Sequence, residues 1–201
     1  MANHVNFNIR FAEVNDEAKE VWKKLTGRLV KENYEYWMGD MWVYEDAGVS
    51  KDDVRQYSWT IENLGPKWCY ITDFDEDGCQ GYSAWSPPEQ GLNWILAQMA
   101  KVDPKMITEF TYEDEGPNFF GAYVYEGEEM VDGAEWDWDE LITLVIKDNS
   151  ELEGKYNEED QEFIDDESQD LFYEVMWETV HDEQSRIISD AEMCLQKEQD
   201  A

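Results

Sequence analysis

Cysteine, histidine, proline and basic residues are all scarce in this chain, and each shortage closes off a class of protein. Three cysteines, Cys69, Cys79 and Cys194, form neither an even disulfide framework nor a paired metal knuckle, which points to a reducing, cytoplasmic setting. Two histidines, His4 and His181, leave little from which to build a nucleophile and its base. No phosphate-cradling GxxxxGK or GxGxxG occurs. No run approaches the roughly 18 apolar residues of a membrane span, and the opening MANHVNFNIRF has no apolar signal segment. The expectation is a non-enzymatic protein outside the membrane, with no cofactor and no metal.

The shortage of Lys and Arg says most about partners. Fifteen basic residues stand against 49 acidic ones, a formal charge of −34. Phosphate would be repelled, so direct contact with DNA, RNA or an anionic membrane is excluded and a basic partner is favoured. The imbalance is concentrated: residues 1–105 hold 18 acidic and 11 basic residues, residues 106–201 hold 31 and 4. A halophilic or merely solubilised surface would spread its charge more evenly. What the chain has in plenty is aromatic side chains, 14% of the total with 10 Trp, enough for a packed core despite the charge.

Residues 61–88 organise the first half. Trp68–Phe74 and Cys79–Trp85 flank Asp75-Glu76-Asp77-Gly78, a strong hairpin signal. With Asp77 and Gly78 as a type I′ turn, Tyr70 would face Trp85 and Ile71 would face Ala84. Pro87-Pro88 then presets a helix from about Glu89 to Val102. Before the hairpin, His4–Phe11 alternates as a half-buried strand. Asn15 or Asp16 caps a helix with Ala18, Trp22, Leu25 and Leu29 on its apolar stripe. Lys19, Lys23, Lys24, Arg28 and Lys31 form the one basic cluster there, either a solvated face or a dock for the acidic half. Residues 32–57 are dense in Tyr34, Tyr36, Trp37, Met38, Met41, Trp42 and Tyr44 and read as a packed lid. Ser50–Asp53 reads as a capping box, with a strand at Ser58–Glu62. Strands near 107–112 and 119–125 complete the order β-α-β-β-α-β-β.

The opening ANHV with its alternating strand, ENLGPKW before the hairpin, AWSPP at the second helix and YEDEGPNFFGAYVY together resemble the YubB ferredoxin-like domain, a group of uncharacterised phage- and plasmid-borne proteins. The likeness covers about residues 2–130. Where members of that group tend to carry NWG, this chain has Asn63-Leu64-Gly65. The resemblance implies a ferredoxin-like fold and a mobile-element origin, and no catalytic residue.

The expected fold class is therefore α+β: a ferredoxin-like β-α-β-β-α-β core with an extra strand over 1–130, then an acidic, mainly helical extension over 131–201. Within the extension, Leu141–Ile146 fits either a short strand or a short helix, and Ser150–Asn157 reads as a linker. From Glu158 to about Gln196 the pattern is helical. Ile164, Leu171, Phe172, Val175, Met176, Val180, Ile187, Ala191 and Cys194 form an apolar stripe, interrupted near Glu183-Gln184 so that one or two helices are possible.

Asp73–Gly78 matches the front of a calcium loop, but Ala84 stands where the bidentate Glu belongs and the flanks read as strands, so an acidic hairpin turn is the better reading. The candidate partner-binding residues are Asp137, Asp139, Glu140, Asp165, Asp166, Glu167, Asp170, Glu174, Glu178, Asp182 and Glu183. They suit a basic host protein, itself nucleic-acid-binding, that the acidic half would engage as a DNA mimic to inhibit host defence or transcription. The alternative is a structural homodimer whose acidity serves solubility.

Overall fold

The computed structural model describes residues 3–43, 49–157 and 160–199, the side chains of the last two excepted. Strand β1 (His4–Glu13) buries Val5, Phe7, Ile9 and Phe11 and exposes His4, Asn6, Asn8 and Arg10. Helix α1 (Asp16–Thr26) begins where the Asn15 side chain accepts from the Ala18 amide, and buries Ala18, Trp22 and Leu25. The aromatic connection makes two short strands, β2 (Lys31–Glu32) and β3 (Glu35–Trp37), and a tight turn at Met38–Trp42. Met38, Met41 and Trp42 are packed as expected of a lid, whereas Tyr34 is exposed and Tyr44 lies outside the described residues.

Helices α2 (Lys51–Val54) and α3 (Tyr57–Asn63) follow, α2 opened by the anticipated Ser50/Asp53 capping box. Strands β4 (Cys69–Asp75) and β5 (Gly78–Ala84) form the hairpin, and helix α4 (Glu89–Met99) follows the two prolines. Strands β6 (Ile107–Asp114), β7 (Phe119–Glu126) and β8 (Glu129–Asp137) run into helix α5 (Trp138–Asp148). After the small pair β9 (Tyr156–Asn157) and β10 (Glu162–Phe163) comes the long helix α6 (Asp166–Gln199).

The first eight strands form one antiparallel sheet in the order β2-β3-β4-β5-β1-β6-β7-β8, so the chain is mixed α and β with a large antiparallel sheet. Because side chains alternate between faces, register decides what each face carries. Val5, Phe7 and Ile9 pair with Asp114, Tyr112 and Phe110 and share a core with Trp22, Leu25, Leu92, Ile95 and Met99 of α1 and α4. The opposite face carries Phe120, Ala122 and Val124 of β7, which α5 and α6 cover through Leu141, Val145, Phe172, Met176 and Val180 and, farther along, Ala191 and Leu195.

Three local expectations are corrected, and the choice left open at Leu141–Ile146 is resolved. The hairpin pairs Tyr70 with Tyr82 and Ile71 with Gly81, three residues from the expected register. The turn is Glu76-Asp77, one residue earlier, with Gly78 at φ 146°, and a bulge between Ile71 and Asp73 adds the rest. Ser58–Glu62 is helical within α3: Thr60 and Leu64, four residues apart, are both fully buried, and this packing outweighs the β-propensity of Tyr57, Trp59 and Ile61. Leu141–Ile146 is helical, inside α5. Ile164 lies before α6 and is 60% exposed, Cys194 is exposed, and Leu195 takes the buried place at that end of the helix.

Candidate interaction surfaces

The eleven acidic residues singled out from sequence fall into two groups. Four are engaged locally. Asp137 accepts from the Glu140 amide and Glu140 accepts from the Asp137 amide, a reciprocal box that opens α5. Asp165 accepts from the Ser168 amide at 2.8 Å and its hydroxyl at 2.6 Å, and pairs with Lys155. These Ser168 bonds, with the lysine, hold the Asp165 carboxyl low, at about 2. Glu183 pairs with Arg186 at 2.6 Å.

The other seven, Asp139, Asp166, Glu167, Asp170, Glu174, Glu178 and Asp182, are exposed and make no side-chain hydrogen bond or ion pair among the described residues. Five of them, Asp166, Asp170, Glu174, Glu178 and Asp182, recur every four residues. Each stands two positions before a buried residue, Ser168, Phe172, Met176, Val180 and Gln184. Two residues turn a helix by about 200°, so the whole row faces away from the sheet. Trp138 lies edge-on to Phe172 at 5.4 Å, which sets the α5 N-terminus and Asp139 beside the first turns of α6.

α6 is one helix across the suspected break. Gln184, read as an interruption of the apolar stripe, is buried, and its amide donates to the carbonyls of Tyr112 at 3.1 Å and Gly121 at 3.2 Å. That amide fastens α6 to β6 and β7 and fixes its rotation. Beside it, burial pushes the Glu113 carboxyl up, opposed by His181, Gln184 and Asn6.

The basic residues of α1 do not meet α6 within one chain, because the two helices lie on opposite faces of the sheet. Lys19 reaches Asp77 at 3.3 Å and Glu76 at 3.9 Å in the hairpin turn, Lys23 pairs with Glu20, and Arg28 donates to the Met41 carbonyl. The calcium-like segment is that turn: Asp75 accepts from the Asp77 amide, and no group of metal-binding side chains is found among the described residues.

A second surface escaped sequence reasoning. α5 and α6 cover the sheet over β7 and β8, while over β1, β5 and β4 the same face is open: Asn6, Asn8, Thr72 and Gln80 are exposed. Half-buried rings lie among them. His4 stacks on Tyr82 at 5.2 Å, and Trp68 and Tyr70 lie 5.9 and 5.7 Å from the same ring. The Tyr82 hydroxyl donates to Glu35 at 2.5 Å. The alternation of Asn6, Asn8 and Arg10 announces a polar face, but which rings join it depends on the hairpin register. Among the described residues no helix is long and apolar enough to cross a membrane. Compared with known proteins, the chain matches no family model, no curated protein and no solved structure.

Proposed function

We propose that this chain is a non-enzymatic binding protein that engages a basic protein through the outward carboxylates of α6. The observation that carries the reading is the row Asp166, Asp170, Glu174, Glu178 and Asp182, exposed and uncompensated along one face. Like charges four apart on a helix oppose its folding by about 0.2–0.5 kcal/mol a pair. A sequence that keeps four such pairs in succession, when one lysine would relieve two of them, favours a role for the charge beyond solubility.

The same geometry bears on imitation of DNA. Thirty-four residues make a helix of about 51 Å. It holds ten acidic and two basic residues, about one net charge per 6 Å, against one per 1.7 Å for duplex DNA. α6 alone supports docking into a basic groove more than replacement of a whole duplex. A nucleic-acid-binding host protein fits that groove, and inhibition of its function is the consequence proposed. A mobile-element origin belongs to the proposal on the YubB likeness alone. The ferredoxin-like reading of the core is supported by the order β6-β1-β5-β4, with α1 and α4 together on one face.

Deleting residues 151–201 would bare Phe120, Ala122 and Val124, so point substitutions are the cleaner test. Immobilised protein is expected to retain basic proteins from a cell lysate at low salt and to release them to salt and to competing duplex DNA. The variant Asp170→Asn, Glu174→Gln, Glu178→Gln should retain few of them. Equal retention by both proteins would overturn the reading. The second reading is a homodimer in which α1 of one copy meets α6 of another, favoured by the exposure of Lys23 and Lys24 on the face opposite α6. A salt-sensitive dimer in light scattering would support it.

A further inference from the structure

The open half of the sheet is a shelf beside α6. Its floor is β1, β5 and β4, with Asn6, Asn8, Gln80, Tyr82, Tyr70 and Thr72 facing out. One side is α6, which reaches across as far as Arg10 through Glu192 at 4.0 Å. On the other side the sheet continues into β3, which bears Glu35. Three strands about 4.8 Å apart leave a floor about 10 Å across, room for one polypeptide segment.

The charge on this face is mostly negative, and Arg55 beside it is paired with Glu32 and Asp40. Arg10 is already held by Glu109 and Glu192, and Glu35, Asp73 and Glu113 add negative charge around the floor. The rings, with one face of Tyr82 already stacked by His4, lie in an acidic surround, the setting in which a cation over an aromatic ring is favoured. The chain seats its own few cations this way at the edge of this face and beyond it. Arg55 lies 5.3 Å from the Trp37 ring, and Lys67 lies 4.8 Å from Tyr57 and 5.4 Å from Trp85. Among the described residues no Lys or Arg occupies the Trp68, Tyr70 and Tyr82 rings. An oligonucleotide would find rings to stack on, but the nearest guanidinium groups, Arg10 and Arg55, are already paired with carboxylates.

We propose that this floor seats Lys or Arg side chains of a basic polypeptide segment, with Trp68, Tyr70 and Tyr82 as the rings and Glu35 as the counter-charge. The proposal rests on the reading that the chain binds a basic partner, and it adds a second contact, away from the outward row of α6.

The test is a titration of the full chain with a short oligo-arginine peptide, followed by NMR of the side-chain amides of Asn6, Asn8 and Gln80 and the indole N–H of Trp68. These signals are expected to shift together, and Gln80→Lys or Asn8→Lys, both at exposed positions, should weaken binding about tenfold, the scale of one desolvated cation–ring contact. Shifts confined to α6, with both lysine variants binding normally, would overturn the floor and leave the α6 reading standing. Absence of peptide binding at low salt would overturn both. Shifts at the floor with a single-stranded oligonucleotide and none with the peptide would overturn the proposal in favour of base stacking.

Discussion

Gln184 and Glu113 show how single side chains set the docking of α6. Gln184→Ala would leave the carbonyls of Tyr112 and Gly121 without their side-chain donor in a buried place, and is expected to lower stability by about 1–3 kcal/mol in urea unfolding. Glu113 is a carboxyl that burial raises above its usual value near 4.5. The folded state therefore holds its proton more tightly than the unfolded chain, and the ionised form weakens the fold as pH rises through the folded value. Glu113→Gln should stabilise the protein at neutral pH, and the gain should vanish below about pH 4.5; a gain that persists there would show that charge is not its cause. Neither role was legible in the sequence. A glutamine in an apolar stripe looks like a break, because its partners are carbonyls 72 and 63 residues away.

At the scale of elements, caps and periodicity were readable and register was not. Asn15, Ser50 and the prolines before α4 marked helix starts correctly, since a cap depends on residues within one turn. The β4–β5 pairing was displaced by a turn one residue early and a bulge, features governed by how Gly78 packs: a Cβ there would sit 1.9 Å from the Ile9 carbonyl oxygen of β1. Gly78→Ala should therefore destabilise the sheet strongly in thermal unfolding. The six exposed carboxylates of α6, Asp166, Glu167, Asp170, Glu174, Glu178 and Asp182, lie on the solvent face expected of them, because helical period alone determines that face. Asp170→Lys with Glu178→Lys would turn four like-charge pairs into opposite ones. Thermal stability at low salt should rise by about 1 kcal/mol or more, while retention of basic proteins falls. The cap Asp165 behaves in the reverse sense to Glu113. Its folded carboxyl lies at about 2, below the usual value of 3.8, so its contribution is present above about pH 4 and fades as pH falls toward 2.

For the whole molecule, the charge of −34 is a standing opposition to compactness. Raising ionic strength from about 0.01 M to about 0.15 M shortens the screening length from about 30 Å to about 8 Å and should raise the melting temperature. A flat or falling response would mean that local pairs such as Arg55–Asp40 outweigh the net repulsion. β1 has one more consequence. It lies in mid-sheet, yet Val5 finds Ser83 on one side and Asp114 on the other, and the apolar face of β7 waits for Phe172, Met176 and Ala191 beyond them. Such high contact order predicts folding on the slow side for a domain of this size, with loop closure limiting the rate. A nascent chain halted before α6 would carry an uncovered aromatic sheet, and its survival would depend on a chaperone reaching it before another copy does.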